Sequence, residues 1–240
     1  MAENKLIKLS KEFSSQVEKL KFSEPVTHVY NPLNYAWLAH KKYLTLYGKK
    51  NKKVIFLGMN PGPWGMAQTG VPFGEITHIK EWMKIETKIG KPKNENPSRP
   101  ITGFECQRNE VSGQRLWGYF SQKFKTPEHF FKDHFVINYC PLVFMEESGR
   151  NRTPDKLPTI EAKPLFDICD TYLREMIQYF KPEYLVGVGG FATKRLQKVF
   201  KGQDYKIETL LHPSPASPIA NRGWAEQAEK QLIQAGILKS

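Results

Sequence analysis

Four short apolar runs, set apart by stretches of helical periodicity, constrain this chain more than any other feature of its sequence. They are Val54–Leu57, Phe135–Ile137, Tyr184–Val188 and Ile207–Leu211. Runs this short and β-branched read as strands rather than helices. Helices are predicted at Leu33–Leu46, Ile76–Glu86, Gly113–Phe124, Ile160–Phe180, Ala192–Phe200 and Trp224–Ala235, the last closed by Gly236 as a C-cap. Strands alternating with helices predict an α/β fold, a mostly parallel sheet covered by helices on both faces.

The opening residues to about Lys21 form an amphipathic pattern, with Leu6, Leu9, Phe13, Val17 and Leu20 at helical spacing. Residues 1–30 are therefore expected to be a helical N-terminal extension of one domain spanning 1–240. Gly90–Gly103, rich in Pro, Lys and Asn, reads as a long surface loop. Apolar residues, 40% of the chain, are spread along it without a long uncharged run, so neither a membrane span nor a secretory signal is indicated. An intracellular monomer is expected, with a bacterial cytoplasm and a eukaryotic nucleus both open.

Lysine and arginine number 36 against 24 aspartates and glutamates, a formal charge of +12 that favours a polyanionic partner such as nucleic acid. Lys49–Lys53 is a short basic cluster that either contacts phosphate or has no role. Cys106, Cys140 and Cys169 lie far apart with no C-x-x-C pair, and His28, His40, His78, His129 and His134 show no ligand spacing. No metal and no cofactor are expected.

Polar, Gly-rich or Pro-rich turns follow all four predicted strands: Gly58-Met59-Asn60-Pro61-Gly62-Pro63, Asn138-Tyr139-Cys140-Pro141, Gly187-Val188-Gly189-Gly190 and His212-Pro213-Ser214-Pro215. In open α/β sheets ligands bind at the carboxyl ends of the strands, so Asn60, Asn138, Gly189 and His212 are predicted to share one cleft. Taken singly, Asn60 reads equally well as a turn residue, Asn138 as a strand-ending cap and His212 as a satisfied histidine. Four such turns at one edge favour a site. No G-x-x-x-x-G-K-[ST], complete G-x-G-x-x-G or G-x-S-x-G is present, which disfavours a nucleotide-cofactor site and a serine hydrolase.

The long segment from Gly58 through Asn60-Pro61-Gly62-Pro63-Trp64-Gly65-Met66 to Val71-Pro72-Phe73-Gly74-Glu75 resembles the first motif of the single-strand-selective monofunctional uracil-DNA glycosylases. The resemblance continues through Glu110–Gly113, Asn138–Leu142, Ser148–Asn151, Leu185–Gly189, His212–Pro215 and Asn221–Trp224. It implies a three-layer α/β/α domain around a short, mainly parallel sheet, and a DNA repair enzyme that flips uracil or a related base out of single- or double-stranded DNA and leaves an abasic site. Carried over by motif position, Asn60 orients the attacking water, His212 faces the base O2, Phe73 stacks on the base and Asn138 bonds its Watson–Crick edge. Met59 and Gly62 belong to the base pocket, and Gly62 stands where the classical uracil glycosylases carry a pocket-closing tyrosine. Ser112, Gly189 and Ser214 are expected to grip phosphates through backbone N–H groups or hydroxyls, with Lys194 and Arg195 adding electrostatic affinity. Many relatives carry a duplex-penetrating arginine after the His-Pro-Ser-Pro segment. Here Ala216-Ser217-Pro218-Ile219 follows, so Ile219 or Arg222 would supply the wedge. Two other readings stay open: a lesion-binding protein without turnover, and an α/β nucleotide-binding domain.

Overall fold

A computed structural model describes residues 5–239. In chain order its main elements are α1 (Lys5–Val17), β1 (His28–Tyr30), α2 (Pro32–Tyr35), α3 (Trp37–Tyr47), β2 (Val54–Gly58), α4 (Met66–Thr69), α5 (Val111–Phe124) and α6 (Pro127–Asp133). There follow β3 (His134–Asn138), β4 (Val143–Met145), β5 (Asn151–Arg152), α7 (Thr159–Phe180), β6 (Tyr184–Val188), α8 (Gly190–Val199), β7 (Lys206–Leu210), α9 (Pro218–Asn221) and α10 (Trp224–Gln234).

The four apolar runs pair in parallel, in the order β3-β2-β6-β7. The two inner strands β2 and β6 and the edge strand β3 are buried at every residue, as a sheet covered on both faces requires. Right-handed crossovers in this order put α5 and α6 on one face and α7 and α8 on the other, and the packing agrees: α10 lies against α5, α1 against α7. The result is the three-layer α/β/α arrangement. The chain leaves β2 toward β3 on one side and later returns to β6 on the other, so β2 marks the switch point where a crevice opens at the carboxyl edge.

Several local expectations change. The apolar stripe of the opening segment packs into the core, with Leu6, Phe13 and Val17 buried, and its helix ends at Val17 as the next amides tighten to three-residue bonds. The helix read over Leu33–Leu46 breaks at Ala36, where the backbone of Gly70 lies too close for any side chain (an added Cβ would stand 2.8 Å from the Ala36 carbonyl oxygen). Ile76–Glu86 yields only a π-helical turn at His78–Trp82, terminated by Lys84 at φ +55°. Gly90–Gly103 carries no regular element until Gly103 opens a short 3-10 turn, yet it is pinned from inside: Asn96 is fully buried and its amide donates to the carbonyls of Glu146 and Glu147. A small antiparallel sheet, β1-β4-β5, was not predicted, because strands of two or three residues cannot display a period.

His40 ties α3 to the segment after β2. Its Nδ1–H donates to the Gly70 carbonyl at 2.8 Å, and burial pushes its pKa down to about 4, so the folded protein holds it neutral. The unfolded chain takes up this proton near pH 6.5. The stability tied to the neutral ring is therefore complete above about pH 6.5 and is lost as pH falls toward 4, about 3 kcal/mol over the window. Urea midpoints at pH 7 and 4.5 should diverge less in His40→Gln than in the parent chain; equal divergence would assign the acid loss to other groups.

Candidate active site

Parallel register sets the first contact of the site. Gly58 closes β2 directly opposite Asn138, which closes β3. A Cβ on Gly58 would stand 2.3 Å from Asn138 Oδ1 and 2.7 Å from the Phe73 ring, so only glycine lets the amide and the ring meet over the strand end. Asn138 is buried, and its Nδ2 donates to Met66 Sδ at 3.2 Å.

Phe73 reaches this position through a backbone few residues adopt, φ +52°. The turn around it is fixed from three sides. Trp117 Nε1–H donates to the Pro72 carbonyl at 3.2 Å, Thr69 Oγ1–H donates to the Gly74 carbonyl at 3.1 Å, and Gly113 of α5 packs against the Phe73 carbonyl. A non-glycine residue held at positive φ persists only where its surroundings over-determine it, and such residues cluster at working sites.

Asn60 follows β2 by two residues. Its Nδ2 donates to the Leu142 carbonyl at 3.1 Å and to the Pro61 carbonyl at 3.3 Å, which fixes the amide plane and leaves Oδ1 as an acceptor. Neighbouring Met59 accepts the Cys140 amide at 2.9 Å through its carbonyl, so this backbone is stitched to the β3 exit. At Gly62 an added Cβ would meet nothing within 4 Å. The loop therefore has room on that side.

His212 enters from beyond β7. Its ring centroid is 6.3 Å from that of Phe73, and Gly189, at φ +89°, lies so close to it that an added Cβ would stand 3.1 Å from the imidazole. Nδ1 accepts the Ser214 amide at 3.1 Å, which places the ring proton on Nε2; burial lowers its pKa and keeps it neutral. Neutral His212 is thus a donor at Nε2. The backbone before it is held by side chains: Leu211 N–H donates to Gln231 Oε1 at 2.8 Å and its carbonyl accepts Trp224 Nε1–H at 2.7 Å. From α5, Arg115 donates to the carbonyls of Pro213 and Ser214 and to Asn221 Oδ1.

Phe73, Asn138, Gly189 and His212 therefore meet at one edge, with Asn60 and Met59 on the loop that adjoins it. The candidate phosphate contacts are arranged differently from expectation. The Ser112 amide donates to Glu110, the Gly189 amide to the Leu210 carbonyl and the Ser214 amide to His212, so none of the three is free for an outside anion. The hydroxyls are engaged too, Ser112 Oγ with the Glu110 carboxylate and Ser214 Oγ as acceptor of the Ala216 amide, while next to Gly189 the first turn of α8 is open, a Cβ on Gly190 meeting nothing within 4 Å. Ile219 and Arg222 stand outside the cluster. Ile219 is 56% exposed at the tip of α9, and Arg222, also exposed, caps that helix.

Arg195 corrects an expectation outright: it is buried, with Nη2 2.5 Å from Asp170 Oδ1 and its guanidinium over Tyr139 and Phe166, so it offers no charge to a partner. The Lys49–Lys53 cluster precedes β2 and so lies at the amino edge of the sheet, away from the site; Lys52 is buried there, donating to the Phe131 carbonyl. Among the described residues no group of three or more His, Cys, Asp or Glu is arranged to hold a metal ion. Gly58, Arg115, Trp224 and Gln231 were missed as site residues. Gly58 had a signal, a glycine ending an apolar strand before an Asn-Pro turn, whereas Arg115 acts across nearly a hundred residues and left none.

A family model described as the uracil DNA glycosylase superfamily matches residues 46–233. Over 227 residues the chain is 45% identical to the single-strand selective monofunctional uracil-DNA glycosylase of Rattus norvegicus, covering 94% of this chain and 82% of that protein. Against the Bos taurus protein of the same name it is 44% identical over 227 residues, with 94% and 84% covered. The solved structure of wild-type Pedobacter heparinus SMUG2 is similar in fold, with a TM-score of 0.68 at 17% identity over 95% of this chain and 96% of that one. With that identity sustained along nearly its whole length, the chain belongs to the single-strand selective monofunctional uracil-DNA glycosylases, within the uracil-DNA glycosylase superfamily.

Proposed function

We propose that this chain excises uracil and related bases from DNA by hydrolysing the N-glycosidic bond, acting as a monomer without metal or cofactor and leaving an abasic site. The meeting of Phe73, Asn138 and neutral His212 at the switch-point edge carries the reading. A base turned out of the strand stacks on Phe73 and pairs with the Asn138 amide, which offsets the few kcal/mol that unstacking costs. Unpaired or mismatched bases should react faster for the same reason, in keeping with the name its relatives carry.

Bond cleavage leaves the base as an anion with charge on O2 and gives the sugar oxocarbenium character. His212 Nε2–H donates to O2, and that bond strengthens as the charge develops, so it lowers the barrier rather than merely binding the substrate. Asn60 Oδ1 accepts a hydrogen bond from the water that attacks C1′. Asn60 is too weak a base to take the proton early, so it orients the water. The Ser214 hydroxyl, which still has its proton to donate, the Ser112 hydroxyl once turned from Glu110, and the open turn beside Gly189 hold the flanking phosphates, and exposed Ile219, with Arg222 behind it, fills the gap the base leaves in a duplex.

The test is to incubate the protein with oligonucleotides carrying one uracil, single-stranded or paired with G or A, and then heat in alkali. Strand breaks only after alkali are expected. No product together with uracil-selective binding would leave a lesion binder without turnover. The free space at Gly62 gives a second expectation: Gly62→Tyr should fold normally and lose activity on 5-substituted uracils more than on uracil. Equal losses on both would take Gly62 out of the pocket wall.

A further inference from the structure

Trp64 lies four residues past Asn60, and two guanidiniums sit over its indole, Arg99 at 5.2 Å and Arg108 at 5.6 Å from the ring centroid. Three separate segments build this cluster, and a buried residue holds two of them together. Gln68, fully buried, donates from Nε2 to the carbonyls of Pro63 and Pro100, both at 3.0 Å, and accepts the amides of Thr102 and Gly103 at Oε1. That staple fixes the 99–103 loop against the loop carrying Trp64. The third segment is tied down at Glu110, whose side chain packs against Gly65 and caps α5.

The charge gathered there is not neutralised within the protein. Among the described residues the arginines in ion pairs are Arg152 and Arg195, not Arg99 or Arg108. Arg99 donates from Nη1 to the Ser98 carbonyl, while its Nε is buried without a partner; Arg108 is exposed. A guanidinium held over an aromatic ring keeps its N–H edges for an acceptor, and phosphate matches that edge. The nearby loop carries Asn60 and Gly62, so a strand whose base enters the site passes close by.

We propose that Arg99 and Arg108, oriented by Trp64, form a clamp for a phosphodiester of the DNA strand on one side of the extruded nucleotide. This rests on the glycosylase reading for the identity of the strand. The clamp is a second anchor, separate from the pocket, and it acts on the backbone without reading sequence.

Binding of single-stranded oligonucleotides containing 2′-fluoro-2′-deoxyuridine, lengthened one nucleotide at a time on the 5′ or the 3′ side, tests it by anisotropy. Affinity should rise in a step when the strand reaches the clamp on one side only. Arg108→Ala and Trp64→Ala should abolish that step, and Arg108→Ala should reduce the slope of log affinity against log salt by about 0.7, one single-strand phosphate contact. Trp64→Phe should retain the step, and removing a remote exposed charge, Lys230→Ala, should not affect it. A step and slope unchanged in Arg108→Ala and Trp64→Ala, or changed as much by Lys230→Ala, would overturn the clamp. The parent chain's excision of uracil from the same sequences without fluorine reports separately on the glycosylase reading, so either can fail while the other stands.

Discussion

His212→Ala is expected to slow single-turnover excision of uracil by roughly 10²–10³-fold while leaving affinity for uncleaved DNA within a few-fold. The size follows from what is removed: one pre-aimed neutral donor facing the atom on which charge develops. The tautomer makes the expectation specific. Nδ1 is occupied as an acceptor by the Ser214 amide, so Nε2 carries the proton and the neutral ring is the working form. Protonation would add a second N–H facing the Ser214 amide and break that bond. Because burial lowers the pKa of this ring, the parent rate should hold across neutral pH and fall only on the acid side of the ordinary histidine range, and that fall should be absent from the residual rate of His212→Ala. His212→Gln, which can still offer an N–H, should recover part of the loss. A full single-turnover rate in His212→Ala, or an acid fall that survives the substitution, would remove His212 from the chemistry.

The largest effect on stability is expected at Asp170. Its Oδ1 accepts both Arg195 Nη2–H at 2.5 Å and the Tyr139 hydroxyl at 2.7 Å, and both charged side chains are close to nine-tenths buried. Asp170→Ala would leave a buried guanidinium without its hydrogen-bonded carboxylate, with only exposed Asp167 near, a loss of about 3–5 kcal/mol. In a chain of this length that lowers Tm by roughly 10 °C. The pair need not stabilise the fold relative to apolar residues. Replacing both partners, Asp170→Leu with Arg195→Met, should restore much of the loss, since the cost comes from the orphaned charge. A Tm drop below about 2 °C in Asp170→Ala would mean that water or a neighbour compensates Arg195.

The legible part of the fold was what repeats along the chain. Apolar runs fixed β2, β3, β6 and β7 to within a residue or two, and the order of turns after them located the edge where Phe73, Asn138 and His212 meet. What stayed hidden depends on partners distant in sequence. Nothing local marks Arg195 as a buried ion-pair member rather than a surface charge, because its partner Asp170 sits on another helix. The amides of Ser112, Gly189 and Ser214 looked available until Glu110, Leu210 and His212 were seen to accept them. Besides Gly58, one omitted element had a signal: Thr126, Pro127 and Glu128 are an N-cap, a first-turn proline and a first-turn acid, and they begin α6.

Leu211 has both its backbone polar groups bonded to side chains of α10 rather than to a neighbouring strand. The residue that precedes His212 is therefore addressed by Trp224 and Gln231, well outside the reaction centre. Inherited changes in the last helix and in the His212 loop should then be tolerated mainly as matched pairs. A minimal version of this protein cut before Trp224 would keep all the residues assigned to chemistry and lose the footing of one of them.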